Sequence, residues 1–344
     1  MVASLRSTRA ALSGAFGSWL FLAAIVLIPT ALLAPRAVAN FPLFLQNLIY
    51  GVADGSIYAL IALGYTMVYG IIELINFAHG DVFTLGAFFS LPLIGAFGLV
   101  EGQSSGPGVW LILLLIAVIV MALNGGVNVV IERVAYRPLR NAPRLAPLIT
   151  AVGVSFILEG TMYVWRGASN VHYPDVLPST RIPLVGGASL GVKDIVVILT
   201  AIVLVVLLSL FINSTKLGKA MRATAQDREA AQLMGIDINR TISATFFIGA
   251  VLAGAGGMIF GLYFNSVRFD LGFEAGLLAF TAAVFGGIGN LQGAALGGLV
   301  IGLVQVFSNA YFISALTDVW IFTILILVLV FRPTGLLGMQ LPEK

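Results

Sequence analysis

The sequence predicts an all-α integral membrane protein, a polytopic bundle of about eight to ten transmembrane helices with some short or broken members. Hydrophobic residues make up 59% of the 344 residues and charged residues 10%, which leaves too little polar surface to cover a water-soluble core. Apolar runs of about 20 residues recur along the whole chain, and each could cross a hydrocarbon layer of roughly 30 Å as a helix. We therefore expect residues 1–344 to form a single membrane-spanning domain.

The first apolar stretch, about Phe16–Ala34, has two interpretations. Arg6 and Arg9 precede it and a small-residue sequence, residues 37–39, follows it, as in a cleaved signal peptide. However, the stretch is longer than the usual signal-peptide core of about 7–15 residues, and Arg36 lies next to the cleavage sequence. We favour a retained first span.

Nine further apolar segments follow. The seventh of these nine is too short to span comfortably, and we count it as a short or broken crossing. The segments are about Leu43–Ile72, Val82–Val100, Val109–Ile131, Leu145–Trp165, Val192–Ile212, Thr241–Tyr263, Gly276–Gly289, Leu291–Tyr311 and Val319–Phe331. Residues 167–191 carry three prolines and are predicted to be an irregular loop or a short surface helix.

The distribution of basic residues predicts the orientation. If all ten segments cross and the N-terminus is cytoplasmic, thirteen basic residues face the cytoplasm and five face outward, which predicts that both termini are cytoplasmic. The inner set is Arg6, Arg9, Arg133, Arg137, Arg140, Arg144, Lys216, Lys219, Arg222, Arg228, Arg240, Arg332 and Lys344; the outer set is Arg36, Arg166, Arg181, Lys193 and Arg268.

Several kinds of site are not supported by the sequence. There is no cysteine, and the two histidines, His79 and His172, are too far apart in sequence for an obvious metal cluster, so no metal site is predicted. The sequence contains no GxxxxGK[ST] loop, and in the glycine run at 286–290 Gln292 occupies the place where the third glycine of a dinucleotide fingerprint would fall, so no cofactor is predicted in this chain. The net charge of +3 is small, and nucleic-acid binding has no support.

Glycines at four-residue spacing predict close helix packing. Such pairs let helix backbones approach one another in lipid, and they occur at Gly51/Gly55, Gly257/Gly261, Gly298/Gly302 and in the series Gly289, Gly293, Gly297. The run of residues 286–290 has a second interpretation, as a helix interruption that lines a translocation path. Its candidate path residues are Gly286, Gly287 and Gly289.

Polar residues in and after the second apolar segment form the leading candidate for a translocation site, because polar groups in lipid are costly. The alternative is structural: Asp54 would lie near the outer interface, and Asn76 and Asp81 would cap helix ends. The candidates are Asp54, Glu73, Asn76, His79 and Asp81.

Residues 214–240 form a hydrophilic, amphipathic stretch that predicts two short cytoplasmic helices. Ser214 and Asp227 are the predicted N-caps, and Gly235 is predicted to end the second helix. The apolar residues Leu217, Met221, Leu233 and Met234 are predicted to face the membrane domain. The polar residues Lys219, Arg222, Arg228 and Glu229 would remain available to a cytosolic partner.

The chain resembles the LivH-type permeases of branched-chain amino acid ABC importers from about Asn47 to Gly335. Six runs carry the resemblance: Gly55–Gly64 (GSIYALIALG), Asn76–Asp81 (NFAHGD), Leu85–Ala87 (LGA), Lys219–Asp227 (KAMRATAQD), Leu233–Ile236 (LMGI) and Phe280–Gly289 (FTAAVFGGIG). The first run adds Tyr58 to the path candidates. Glu229-Ala230-Ala231 with Gly235 also looks like the EAA…G loop of importer permeases, although no Ile-x-Leu-Pro follows it.

The resemblance implies a function and a set of partners. Such a permease pairs with a second, LivM-like permease in a bacterial inner membrane. It receives hydrophobic amino acids from an external solute-binding protein and works with two cytosolic ATPases that bind ATP and Mg²⁺. Alternating access would follow from movement of a coupling helix, with Arg222, Asp227, Arg228, Glu229 and Gly235 as the ATPase-coupling residues.

Two other functions stay open at this point. Close relatives of this machinery carry urea or short amides. An ion-coupled secondary carrier would instead need a buried carboxylate at mid-membrane, for which Asp54 is the best candidate. No catalytic constellation converges in the sequence, so an enzyme is not expected.

Overall fold

The computed structural model describes residues 31–73, 76–102, 106–140, 142–143 and 145–338, and most of this part of the chain is helical. Most of the first apolar stretch lies outside the described residues, and so does the choice between signal peptide and span. The helices are α1 (residues 31–39), α2 (Phe41–Ile72), α3 (His79–Ala96), α4 (Pro107–Ile131), α5 (Leu145–Arg166), α6 (Val192–Ser214), α7 (Lys216–Gln226), α8 (Arg228–Leu233), α9 (Ile238–Phe264), α10 (Leu271–Gly286), α11 (Leu291–Tyr311) and α12 (Thr317–Phe331).

Seven helices in the described part of the chain are long and apolar enough to cross a membrane, which confirms the predicted polytopic helical fold. They are α2, α4, α5, α6, α9, α11 and α12. The spanning segment of α4 continues to Leu139 through a π turn and a 3₁₀ turn, and that of α12 begins with the 3₁₀ turn Ser314–Leu316. The helices α3 and α10 have 18 and 16 residues, so they are about 27 and 24 Å long, shorter than a typical span.

Polar side chains fix where several helices begin. The Asn40 side chain accepts a hydrogen bond from the Leu43 N–H at 3.1 Å at the start of α2, and Asn290 accepts from Gln292 and Gly293 at the start of α11. The predicted cap at Ser214 is wrong. Ser214 is the last residue of α6, and Thr215 caps α7 by accepting from the Gly218 N–H at 3.0 Å.

Two of the predicted glycine pairs, Gly51/Gly55 and Gly298/Gly302, pack α2 closely against α11, whereas Gly289 of the predicted series has open space around it. A Cβ on Gly55 of α2 would lie 2.7 Å from Leu299 Cα of α11, and one on Gly51 would lie 2.8 Å from Leu303 Cδ2. Gly298 and Gly302 of α11 leave equally little room against α2. The two backbones are therefore in contact, as small residues allow in helices that pack within lipid.

The helices α3 and α10 both begin inside the bundle. The His79 ring, at the start of α3, packs against Gly64, which lies eight residues and thus about 12 Å before the end of α2. At the start of α10, Gly272 contacts Gly80 and Asp81. The chain therefore re-enters the bundle after α2 and descends into it after α9, which accounts for the short and broken helices that the sequence predicts.

Short strands occupy the loop that the sequence predicts to be irregular. β2 (Arg181–Pro183) pairs antiparallel with β3 (Ser189–Gly191), and β1 (Val171–His172) pairs with β4 (Ser266–Val267). The 3₁₀ turn Val185–Gly187 connects β2 to β3.

Contacts between the interhelical segments define two ends of the bundle. The basic end comprises residues 71–73, 76, 132–140, 142–143, 215–240, 287–290 and 332–338, which are joined by hydrogen bonds such as Arg228–Ile71 and Arg140–Asn239. The hairpin end comprises residues 97–102, 167–191, 265–270 and 312–316, with bonds such as Tyr173–Asn265.

Candidate functional site

Asn76, His79 and Asp81 are all buried within the bundle. The Tyr136 hydroxyl, at the end of α4, donates to Asn76 Oδ1 at 2.6 Å. The His79 and Tyr65 rings meet edge to face with centroids 4.9 Å apart. The sequence left open a structural role for Asn76 as a helix cap, but its side chain does not cap α3. Its bond to Tyr136 instead joins the segment before α3 to the end of α4.

Asp81 connects three helices. Its carboxylate accepts a hydrogen bond from the Ser155 hydroxyl of α5, and its Oδ1 lies against Gly272 in the first turn of α10. A helix N-terminus favours negative charge, since its free N–H groups carry partial positive charge. Asp81 is therefore not a cap of its own helix; it joins α3 to α5 and α10.

Asp54 and Tyr58 lie one helical turn apart on α2, at the hairpin half of the bundle. Tyr58 is buried, whereas Asp54 is partly exposed and lines a cavity of about 620 Å³. The cavity lies between α2, the β2–β3 hairpin, the start of α6 and the ends of α9 and α11. Its polar and charged lining residues are Asn47, Tyr50, Asp54, Ser179, Thr180, Arg181, Lys193, Asp194, Tyr263 and Asn309.

Arg181 of the β2–β3 hairpin lies at the mouth of this cavity. From the sequence it was assigned only to the set of outward-facing basic residues. Arg181 Nη1 donates to the Tyr50 hydroxyl at 3.0 Å, and this hydrogen bond raises the pKa of the Arg181 guanidinium above its usual range. Arg181 is therefore cationic at any physiological pH and is held over α2.

Glu73 and the glycine run at 286–290 are turns at the basic end. Glu73 is exposed and ends α2 in a left-handed conformation, with φ of 57°. Gly287 and Gly289 also have positive φ, between the end of α10 and the start of α11. Backbone bonds from Leu336 and Leu337 to the end of α10 close the run against the C-terminal segment. Neither cavity described here is lined by these glycines, and a role for them on the path stays a prediction.

A buried ionic network at the basic end escaped the sequence analysis. Glu132 is fully buried at the end of α4, where it pairs with Arg140 and with Arg137 at 3.5 Å. The Ser243 hydroxyl of α9 donates to Glu132 Oε2 at 2.6 Å. Burial lowers the pKa of the Arg140 guanidinium, and the Glu132 carboxylate opposes that shift. The network ties α4 to α9.

The predicted coupling helices exist as α7 and α8. Asp227 caps α8 as expected, with its Oδ1 accepting from the Ala230 N–H at 3.0 Å. Gly235 ends it with φ of 84°, and the Ile236 N–H bonds back to the Ala231 carbonyl, which is the usual closure at a left-handed residue. Glu229 is exposed.

The two arginines of this element are hydrogen-bonded within the chain, and their availability to a cytosolic partner stays a prediction. Arg228 Nε and Nη2 both donate to the Ile71 carbonyl, at 3.2 and 2.7 Å, in the last turn of α2. Arg222 donates to the Ile212 carbonyl near the end of α6. Both guanidiniums satisfy carbonyls that a helix end leaves without partners.

Leu233 and Met234 correct a further prediction. They were expected to face the membrane domain with Leu217 and Met221, but only Met221 is buried and Leu217 is partly buried. Leu233 is 88% exposed and Met234 83% exposed, at the tip of α8. Leu233 is the last residue of α8 and Met234 caps its C-terminus, so this end of the helix presents an apolar tip.

A second cavity lies between this element and the rest of the basic end. Its volume is about 710 Å³, and residues 71–73, Arg140, Pro147 and residues 224–229 line it. Among the described residues, no group of three or more histidine, cysteine or acidic side chains could hold a metal ion.

Comparison with known proteins gives the family. A family model described as the permease component of branched-chain amino acid transport systems matches residues 47–329. The chain belongs to this family. The LivH-type resemblance of the sequence is thereby confirmed, and so is the prediction of a transport permease instead of an enzyme.

Two bacterial relatives match over nearly their whole length, and an archaeal relative matches over about three quarters of its length. The chain is 41% identical to the high-affinity branched-chain amino acid transport system permease protein LivH of Escherichia coli K12 over 312 residues, 89% of this chain and 99% of LivH. It is 41% identical to the permease BraD of Pseudomonas aeruginosa over 307 residues, 88% of this chain and 98% of BraD. A probable LivH of Methanocaldococcus jannaschii is 28% identical over 265 residues, 74% of this chain and 78% of that protein. No solved structure matches.

Proposed function

We propose that the chain is a membrane-spanning subunit of an ATP-driven importer that carries branched-chain amino acids by alternating access. The observation that carries the proposal is the 41% identity over 99% of LivH, which is named as a permease of a high-affinity branched-chain amino acid transport system. The sequence contains no phosphate-binding GxxxxGK[ST] loop, so ATP and Mg²⁺ would bind to separate ATPase subunits. A second related permease, two such ATPases and an external solute-binding protein complete the assembly.

The apolar tip of α8 supports an ATPase partner at the basic end. Two neighbouring apolar side chains that are more than 80% exposed are unfavourable in water, and burial of each in a partner would be worth about 1.5–3 kcal/mol. The exposed acidic groups of Asp227 and Glu229 lie at the start of the same helix and could orient a basic partner surface. In this arrangement Leu233 and Met234 bind the ATPase, and Arg228 connects the docked element to α2.

The orientation of the chain in the membrane follows from an ATPase partner at the basic end. The basic end would lie in the cytoplasm of a bacterial cell with an inner membrane, and the hairpin end would face the solute-binding protein. A reporter fused after Arg228 should then behave as cytoplasmic and one fused near Pro178 as external, and the opposite pattern would refute this orientation.

Transport by the whole complex tests the function. The chain is purified from its native host with the proteins that co-elute, reconstituted into proteoliposomes with enclosed ATP, and supplied with its solute-binding protein and radiolabelled leucine or urea. We expect ATP-dependent uptake of leucine. ATP-dependent uptake of urea alone would favour an amide importer, and uptake driven by an ion gradient without ATP would favour a secondary carrier.

A paired substitution tests the docking tip. In Leu233→Ser/Met234→Ser we expect the ATPases to be lost on co-purification while the permease stays inserted, because the apolar contact is removed and no membrane-domain packing changes. Gln232→Ser is the matched control, since Gln232 is exposed on the same turn and is already polar. Full retention of the ATPases by the double variant would exclude this surface as their docking site.

A further inference from the structure

The cavity at the hairpin end holds four charged side chains, and two of them already have partners within the chain: Lys193 an ion pair and Asp194 two hydrogen bonds. Lys193 Nζ is 2.9 Å from Asp175 Oδ1 and donates to Asn265 Oδ1 at 2.6 Å. Asp194 is buried, with one oxygen accepting from the Gly191 N–H at 2.8 Å and the other from the Tyr263 hydroxyl at 2.9 Å.

The other two charges, Asp54 and Arg181, retain unused capacity. In the described part of the chain the Asp54 carboxylate makes no hydrogen bond and no ion pair, although it lines the cavity. Arg181 uses only Nη1, on Tyr50 and Ser189, so its Nε and Nη2 donors make no bond among the described residues. The cavity thus offers one free acid and one partly free base.

The helix geometry places these two charges at different depths. Tyr50 and Asp54 lie on the same face of α2, with their Cα atoms about 6 Å apart along the axis. Tyr50 holds the Arg181 guanidinium at the mouth of the cavity. The Asp54 carboxylate lies one turn of α2 further into the cavity. The amide nitrogen of the 93% buried Asn47, which lines the same cavity, has no hydrogen-bond partner among the described residues.

Part of the remaining lining suits an apolar group. Val192, Phe264, Val306 and Ala310 contribute to the wall, and the volume of about 620 Å³ falls in the usual range of small-molecule sites, roughly 300–1,000 Å³. A ligand that satisfies this cavity carries a cation and an anion close together and an apolar side chain.

We propose that this cavity is an entry site for a zwitterionic α-amino acid with an apolar side chain, in which Arg181 binds the carboxylate and Asp54 binds the ammonium group. The proposal rests on the proposed function, which it deepens by giving this chain its own recognition of cargo. A purely apolar conduit would leave both charges without a ligand.

The absence of native cysteine allows a direct test by protection from labelling. Ala310→Cys, exposed at the cavity wall, is labelled with a membrane-impermeant maleimide in the complete importer, reconstituted without the solute-binding protein. At a leucine concentration about ten times the dissociation constant, about nine-tenths of the sites are filled, so labelling should slow about tenfold. Ser169→Cys, exposed in the same end but outside the cavity lining, is the control and should be unaffected.

Two analogues and two substitutions separate the charges. We expect no protection by leucinamide, which lacks the carboxylate, or by 4-methyl-2-oxopentanoate, which lacks the ammonium group. Asp54→Asn and Arg181→Gln should each raise the leucine concentration that gives half-maximal protection roughly tenfold or more, since each removes a charged hydrogen-bond partner. Arg181 lies on an exposed hairpin, so its substitution leaves the bundle intact even if Asp54→Asn impairs assembly.

Several outcomes would overturn the proposal. They are failure of the maleimide to label the Ala310→Cys variant without leucine, labelling that leucine leaves unchanged, and equal protection by either analogue. ATP-driven leucine uptake is measured on the same preparation with the binding protein added. Uptake without protection would refute the site and leave the proposed function standing, whereas absence of uptake in the native complex would refute the function itself.

Discussion

Gly64 shows how tightly one residue can be constrained inside this bundle. The imidazole of His79 occupies the space that a side chain on Gly64 would need, and the Gly249 carbonyl of α9 closes it from a third helix. Interiors packed to this density do not absorb an added methyl group without movement of a neighbour. The contact of α2 with the re-entrant start of α3 therefore depends on a glycine at this position.

Gly64→Ala should lower the free energy of unfolding by about 1–3 kcal/mol, because the His79 ring must leave its position or the helices must separate. The measurement is the apparent melting temperature of the full-length permease in detergent. In Gly64→Ala/His79→Ala part of the loss should return, since the obstructing ring is gone. Gly153→Ala, at a helical glycine with open space around it, should melt like the parent; a Gly64→Ala variant that does so as well would contradict the packing.

At the scale of elements, the Glu132 network fixes α4 against α9. The Glu132 carboxylate is fully buried, and the Arg140 side chain is only 14% exposed. Removal of one partner from such a pair leaves an uncompensated charge, which costs more than the pair itself contributes. The two helices should therefore be sensitive to single substitutions and less so to matched ones.

Glu132→Gln should destabilise the permease by about 3 kcal/mol, near the low end of the range for broken buried pairs because Arg137 is 38% exposed. Glu132→Gln/Arg140→Gln should cost less than the sum of the two single variants, and thermal unfolding of the four proteins gives the coupling energy. The control is Arg133→Gln, because Arg133 is exposed and makes no ion pair among the described residues. Additive losses would show that the charges do not depend on each other.

The sequence predicted the apolar helices well, because each is a run of residues that only lipid or a helix neighbour can accommodate. Helix starts were less accurate: α10 begins at Leu271, five residues before the predicted start at Gly276, since the apolar pattern does not record where a chain descends into a bundle. The signal for the ionic network was present, because Glu132, Tyr136 and Arg140 recur at four-residue spacing. It was missed because Arg137 and Arg140 were considered only as topology charges.

The exposed tip of α8 shows a different limit of sequence analysis. Leu233 and Met234 follow an amphipathic pattern, and for a protein that folds alone such residues belong inside. A subunit of a complex can instead leave apolar residues exposed for a partner, and a single chain does not carry that information. For the same reason, the individual roles of the path and coupling residues stay predictions.

At the scale of the whole molecule, α2 connects the two ends. Its 32 residues span about 48 Å, from the entry cavity around Asp54 to the basic end, where Arg228 binds its last turn. A change of position at α8 can therefore be transmitted along one continuous helix, which itself packs on α9, α10 and α11. We infer that docking and transmission are performed by different residues of the same short element: the apolar tip binds, and Arg228 transmits.

Arg228→Gln tests this separation. The neutral side chain cannot hold the Ile71 carbonyl with two donors, so movement of α8 should no longer displace α2, while Leu233 and Met234 still bind the ATPases. We expect normal ATPase co-purification but a loss of leucine uptake and of hydrolysis stimulated by the loaded binding protein. A loss of about 5- to 150-fold corresponds to the usual range of coupling energies between sites.

Arg228→Lys, which keeps the charge but not the two-donor fork, should fall between the variant and the parent. Arg240→Gln is the control, because Arg240 is exposed and its side chain pairs only with the neighbouring Asp237 in the described structure. Loss of the ATPases from Arg228→Gln would show that Arg228 takes part in docking, and unchanged uptake would show that α2 receives its motion through another contact.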